Sequence, residues 1–338
     1  MHPQGDVVYF EPIDSLGRSK PAMSEPRPAT VGLRDVQIAA QRISSHIRRT
    51  PVLPVDAKDS GIAPGLMLKL ELLQRSGSFK VRGAFNALLD VDSFGAGVLA
   101  ASGGNFGLGV AMAASDLGIP ATIFVPGGSS AEKIAALQRV PGVGVEVHGD
   151  VYMDALAAAQ QRERETGTPM LHAYDQFEVV AGQGTCGLEF RYETELDTVL
   201  VAVGGGGLLA GTVAAFDGTA SVVAVETDGT PTLQRALEAG GPVPVDVSGI
   251  AADSLGAAQI GELGLAAARH GHVRSLLVSD TSVREAQRWL WERARTIAEP
   301  GGATALAAVL DGSYAPGQGE RVGVIVCGAN TGFTHLAE

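Results

Sequence analysis

Along this chain, short unbroken runs of apolar residues alternate with longer stretches whose apolar positions fall three and four apart. The short runs read as buried strands and the longer stretches as amphipathic helices. The spacing predicts a helix over 33–47, a short extended piece bracketed by Pro51 and Pro54, a strand over 66–70 and a helix over 79–89. Strands follow at 97–101, 121–125 and 143–147, each leading into a helix, at 105–117, 131–139 and 151–165. The second half keeps the rhythm, with strands 169–172, 198–203, 221–226, 274–279 and 322–327. Its helices are 178–193, 207–216, 231–239, 281–298 and 301–310. Residues 240–272, rich in glycine and small side chains, break the pattern and read as irregular.

Strands alternating with helices give parallel sheets covered on both faces, so the class is α/β, with twisted parallel-type sheets flanked by helices. At about 150 residues per domain, a chain of this length makes two domains. The repeated strand–helix block at 93–167 reads as a small mobile domain, and 31–92 with 168–338 as the large one, with a cleft between them. Residues 1–30 carry Asp6, Glu11, Asp14 and several prolines but no apolar core of a signal peptide. They read as a poorly ordered arm.

Charge and composition then narrow the class of partner. A formal net charge of -12 argues against nucleic acid and against an anionic membrane surface. No run approaches the roughly 20 apolar residues of a membrane span, so the chain reads as soluble. Two cysteines, Cys186 and Cys327, make no disulfide framework and fit a reducing, cytoplasmic compartment. His148, His172, His270, His272 and His335 show no zinc spacing with them. The run Arg162-Glu163-Arg164-Glu165 reads as a solvated helix face.

Chemistry concentrates in four stretches. The first, Leu72 to Phe85, reads LLQRSGSFKVRGAF and sets Lys80 after a small-residue turn, in the first turn of a helix with Val81, Ala84, Phe85, Leu88 and Leu89 on its apolar face. A helix's positive end and apolar surroundings disfavour an ammonium, and a neutral lysine amine forms a Schiff base with an aldehyde. A solvated lysine at a helix start is the plain alternative. The second stretch runs an apolar strand into Gly204, Gly205, Gly206 and Gly207 and then a helix. Such glycines let N–H groups converge on an anion. Without the P-loop lysine and hydroxyl or a spaced G-x-G-x-x-G, a small monophosphate suits it better than a nucleotide; a turn allowing close helix–strand packing is the other reading. In the third, Ser102-Gly103-Gly104-Asn105-Phe106, serine and asparagine offer hydrogen bonds to a carboxylate or a hydroxyl, or else cap the helix. The fourth is a buried strand ending in Cys327, at the strand end where open α/β sheets place ligand contacts, unless the thiol is merely buried.

Taken together and in this order, SGSFK-x-RGA, the S-x-G-N loop, the GGGG loop and the late C-G-x-N strand end resemble the fold type II pyridoxal-phosphate enzymes. The likeness is nearest to the threonine/serine dehydratases (ammonia-lyases) and their serine racemase relatives. It spans residues 31–332 and takes in Val147-His148-Gly149-Asp150, His172-Ala173-Tyr174-Asp175, Ala181 to Thr185 and Glu299 to Ala303. The resemblance implies a tryptophan synthase β-like fold with pyridoxal 5'-phosphate as cofactor. Lys80 would hold the cofactor as a Schiff base and take the substrate's α-proton, and Phe79 would pack on a ring face. Gly204 to Gly207 would hold the phosphate, Asn105 the ring hydroxyl, and Cys327 would face the pyridine nitrogen. Ser102, Gly103, Gly104 and Asn105 would form the substrate side.

The implied reaction is α,β-elimination of a β-hydroxy amino acid such as L-threonine or L-serine, giving a 2-oxo acid and ammonia. A neutral thiol, where most dehydratases have serine, holds no proton on the ring nitrogen, so loss of the β-hydroxyl competes well with reprotonation. Phe106 stands where the family usually has histidine. Gly103 stands where racemases carry a second serine, which disfavours racemisation. Racemase relatives bind a divalent cation after strand 221–226; Glu226 is present, but Thr232 replaces the later acidic ligand, so no tight metal site is expected. Ser254 and Glu299 read either as cleft residues or as a turn and a helix-end charge. The family further implies a homodimer and closure of the 93–167 unit over the substrate. The rival readings are a threonine synthase-like or other β-elimination or replacement enzyme, a racemase, and a catalytically dead amino-acid sensor, against which the retained Lys80 argues.

Overall fold

A computed structural model describes residues 30–60, 65–90, 95 and 97–331. All but Thr30 of the expected N-terminal arm, and His335, lie outside them. In chain order the elements begin with α1 (Leu33–Ile43), β1 (Val52–Pro54), α2 (Ala57–Ser60), β2 (Leu66–Lys69) and α3 (Lys80–Asp90). Then come β3 (Val98–Ala101), α4 (Asn105–Leu117), β4 (Ala121–Val125), α5 (Ala131–Gln138), β5 (Val143–Val147), α6 (Tyr152–Thr166) and β6 (Met170–Leu171). The remainder is α7 (Phe177–Glu193), β7 (Thr198–Ala202), α8 (Gly207–Phe216), β8 (Ser221–Thr227), α9 (Thr232–Ala239), α10 (Glu262–His270), β9 (Arg274–Val278), α11 (Asp280–Ala294), α12 (Pro300–Leu310) and β10 (Val322–Ile325).

These strands form two sheets, ordered β1-β2-β10-β7-β8-β9 and β5-β4-β3-β6. All pairings are parallel except β1 with β2. The inner strands β3, β7 and β10 are buried at every residue. Helices cover both faces of a parallel sheet, so their sequences are continuous apolar runs with no polar alternation. Edge strands differ: β5 and β9 carry exposed or half-exposed positions, including Glu146 and Arg274. Each stretch with candidate chemistry leaves the carboxyl end of an inner strand. Ser102 follows β3, Gly204 follows β7 and Cys327 follows β10.

The structure departs from the sequence reading in several places, beginning with α1, which ends at Ile43 and not at 47, and the short helix α2, which was not expected. The smaller sheet takes Met170–Leu171 as its edge strand against β3, so it extends past the expected boundary at 167. Helix α3, allotted to the large unit, buries Val81, Ala84 and Phe85 among Val98, Val110 and Ile123 of the smaller one. Helix α10 lies inside the segment read as irregular. Its glycine-rich approach hides it in the sequence, yet Leu265 and Ala268 are buried against the large core, and Gly264 packs against Gly206 closely enough that a Cβ there would be 3.0 Å from its Cα. Helix α11 stops at Ala294, short of 298, because Arg295 adopts a left-handed φ of 51° and Thr296 N–H turns back to the Leu290 carbonyl at 3.2 Å.

Helix α3 is buried almost all round, and its polar side is held by ions. Arg82, fully buried, donates to both Glu71 oxygens at 2.5 and 2.9 Å and to Glu189 at 2.7 and 2.9 Å. Asn86 donates to the Glu178 carbonyl at 2.7 Å and accepts from Arg42 at 2.6 Å. Among the described residues, no helix is long and apolar enough to cross a membrane.

Candidate active site

The carboxyl ends of both sheets face one cavity of about 370 Å³, and the predicted site residues line it together: Phe79, Lys80, Ser102 to Asn105, Gly204 to Gly207 and Cys327. Lys80 reaches it because Gly77, at φ +75°, lets the chain turn sharply ahead of α3. The Lys80 Nζ donates to the Ala173 carbonyl at 2.9 Å and lies 5.0 Å from the Phe79 ring centroid and 5.7 Å from that of Phe106. Burial pushes its pKa down to about 8, against the pull of Cys327 and Glu299. Phe106 belongs to the core of the smaller unit, so the residue that stands in for a histidine adds an apolar surface beside the amine and no titratable group.

The glycine run serves packing and cavity at once. A Cβ on Gly205 would enter the Tyr174 ring, and one on Gly204 would sit 3.0 Å from the Leu255 carbonyl oxygen. Gly206 has φ +89°, a conformation that only glycine adopts at little cost. The N–H groups of Gly204, Gly205 and Gly206 meet no acceptor among the described residues. Unmet backbone donors at the start of the ten-residue helix α8 suit an anion.

Asn105 opens α4 with both ends of its amide fixed. Its Nδ2 donates to Glu299 at 2.5 Å, and its Oδ1 accepts from Asn330 at 2.6 Å. Asn330 also donates to the Ser76 carbonyl at 2.9 Å, so the amide's orientation is tied to the turn before Lys80. Glu299 is 4 % exposed, and burial raises its pKa to about 7 despite the Asn105 bond. It belongs to the site, not to a solvated helix end. Burial likewise pushes the Cys327 thiol up to about 12, so it stays protonated and neutral near pH 7; its Sγ donates to the Gly301 carbonyl at 3.5 Å. Ser254 lines the cavity, but its hydroxyl accepts from Gly301 N–H at 2.9 Å and so serves the start of α12.

Glu226 lies away from this cavity. Its carboxylate accepts from Leu233 and Gln234 N–H at 2.8 and 2.9 Å and from the Thr232 hydroxyl at 3.0 Å, which spends it on the start of α9. Sequence reasoning gave no role to Tyr174, Ser129 or Tyr152, all on the cavity wall. The stretch His172-Ala173-Tyr174-Asp175 belongs to the family resemblance, but what gives the tyrosine a place in the site is the clash of its ring with a Cβ at Gly205, and that contact is tertiary. Pyridoxal phosphate fits this donor set: a primary amine made nucleophilic by burial, unpaired N–H groups for a phosphate, an amide locked in one orientation and a neutral thiol.

Comparison with known proteins agrees. The sequence profile of the pyridoxal-phosphate dependent enzymes matches residues 43–328. Phenylserine dehydratase of Ralstonia pickettii is 38 % identical over 302 residues, covering 86 % of this chain and 90 % of its own. L-threonine ammonia-lyase of Thermotoga maritima is 31 % identical over 306 residues, covering 89 % and 76 %. The structure of maize serine racemase superposes with a TM-score of 0.84 at 28 % identity, covering 91 % of this chain and 96 % of that one. The chain belongs to the pyridoxal-phosphate dependent enzymes of fold type II, and within them it is a lyase of the threonine/serine dehydratase (ammonia-lyase) family, related to serine racemase.

Proposed function

We propose that the protein eliminates water from a β-hydroxy amino acid, such as L-threonine, L-serine or a bulkier analogue, and releases a 2-oxo acid and ammonia. The observation that carries this reading is the placing of the Lys80 amine, its pKa lowered to about 8, in one cavity with the unpaired glycine N–H groups and the Ser102–Asn105 turn. Bound there, pyridoxal phosphate supplies an electron sink for the bond broken at Cα. Lys80 is the base that takes the α-proton, since its free amine is accessible at neutral pH. Ser102 and the N–H of Gly103 hold the α-carboxylate. The α-proton and the β-hydroxyl leave together as water; one water then returns to the carbon bearing nitrogen as ammonia departs.

The neutral Cys327 thiol would favour elimination over return of the proton, because a thiol beside the bound cofactor would offer no negative charge to keep its ring nitrogen protonated. Closure of the smaller sheet's unit over the substrate, and action as a cytoplasmic homodimer, belong to the same proposal. Purified enzyme is expected to show a visible cofactor band that Lys80→Ala loses. The wild type should release 2-oxo acid from L-threonine, L-serine or L-threo-phenylserine, and Lys80→Ala should lower that rate by at least about 10²–10⁴-fold. A cofactor band with no 2-oxo acid from any of the three, or scrambled configuration in recovered serine without product, rules out the dehydratase reading.

A further inference from the structure

The turn from β3 into α4 has no side chain at Gly103, and the space beside it is not empty. A Cβ at Gly103 would fall on Ser129, whose Cβ is 3.1 Å from that point and whose hydroxyl is nearer still. Ser129 arrives from another strand, in the loop after β4, where its N–H bonds the Pro126 carbonyl at 3.0 Å. Gly127 N–H is itself anchored on the Gly149 carbonyl at 2.8 Å, so backbone bonds set the position of this loop. Gly103 and Ser129 both line the cavity, next to Ser102 and Gly104.

Two donors in this corner lack partners. Neither the Ser129 hydroxyl nor the Gly103 N–H makes a hydrogen bond among the described residues. The Ser102 hydroxyl accepts from Gly104 N–H at 3.2 Å and keeps its own hydrogen to donate. A carboxylate takes about four hydrogen bonds, which is what such a cluster of donors supplies.

We propose that Ser129 is a substrate-binding residue: its hydroxyl, seated in the volume that a side chain at position 103 would fill, joins Ser102 and Gly103 N–H in holding the substrate's α-carboxylate. The inference rests on the amino-acid substrate proposed above. It makes positions 103 and 129 a coupled pair. A hydroxyl is delivered from one or the other, and both together overfill the corner.

The test uses holoenzyme and L-alanine, which carries the α-carboxylate but no β-leaving group; its binding is read from the cofactor absorbance. Ser129→Ala should raise the L-alanine Kd, and the KM of the β-hydroxy substrate, by about ten- to a hundred-fold, the loss of one hydrogen bond to a charge. The band of the substrate-free enzyme should not move. Gly103→Ser alone should lower the Tm, and adding Ser129→Gly should restore both the Tm and the L-alanine affinity, because the hydroxyl then returns from position 103. An unchanged L-alanine Kd in Ser129→Ala, or a Gly103→Ser defect that Ser129→Gly leaves in place, overturns the proposal. If wild type binds L-alanine in a Ser129-dependent way yet eliminates no β-hydroxy amino acid, the elimination reading falls and this one stands.

Discussion

The two walls of the cavity are built on opposite principles. The wall from the larger sheet, with Lys80, Gly204 to Gly207, Glu299 and Cys327, is rigid because its neighbours leave it no freedom. Three of its glycines exclude a Cβ by contact with Tyr174, Leu255 and Ile260, and Glu299 and Cys327 are almost wholly buried. The wall from the smaller sheet is made of the half-exposed loops at Ser102 to Gly104 and Ser129 and the exposed start of α6 at Tyr152, and the hydroxyls and N–H groups of its loops are partly unspent. Parts of the wall that must hold a cofactor through every turnover are thus fixed by sterics and buried charge. Parts that meet a changing ligand keep donors in reserve, and local stability is lower where backbone is exposed.

The sharpest way to break this contrast is to remove the charge that locks α3. Arg82 lies two residues from Lys80, and both it and Glu71 have fully buried side chains. Arg82→Met leaves Glu71 buried without its partner and should cost about 3–5 kcal/mol of stability, seen as a lower urea midpoint, with cofactor binding lost in step. Ser129→Ala, on the other wall, should leave the urea midpoint within about 0.5 kcal/mol of wild type. If Arg82→Met costs no more than Ser129→Ala, the larger wall is not held by its ions.

A second test uses pH. In the folded protein the Glu299 carboxyl has a pKa of about 7, above its ordinary 4.5, because it is buried. Between those values the folded chain keeps a proton that the unfolded chain releases. Its contribution is therefore whole below pH 4.5 and is lost as pH rises toward 7. Glu299→Gln mimics the protonated form and keeps an acceptor for Asn105. Urea titrations in parallel should show the variant gaining on wild type by on the order of 3 kcal/mol between pH 4.5 and 7.5. A constant difference over that range would mean that Glu299 is ionised throughout.

The same contrast explains what could be read from the chain. Lys80, the glycine run and the end of β10 were legible because each depends on neighbours in sequence: an inner strand, a small-residue turn and a helix start. Inner strands were legible too, since burial on both faces writes an unbroken apolar run. Ser129 was not, because its meaning comes from Gly103, which reaches it only when β3 and β4 pair. Glu299 was ambiguous for the same reason: its partner Asn105 is 194 positions away. Helix α10 was hidden by the glycines before it, and its tertiary packing, with Leu265 and Ala268 in the large core and Gly264 against the glycine loop, makes it a helix worth forming.

The smallest expected effect lies where the two walls meet across the mouth of the cavity. There Lys133, on α5 of the smaller unit, pairs with Asp253, from the large-unit loop that follows α9. The Asp253 side chain is 71 % exposed, so water competes for the pair and salt screens it. Lys133→Ala should therefore change stability by less than about 1 kcal/mol and raise KM by under about fivefold, and added salt should erase the difference in KM. If the smaller wall is the adaptable one, this bridge biases its position without fixing it. A drop in kcat of tenfold or more that salt does not alter would instead make the bridge part of the fixed architecture. The division between a rigid cofactor wall and an adjustable substrate wall would then fail at the mouth, where it is most exposed to test.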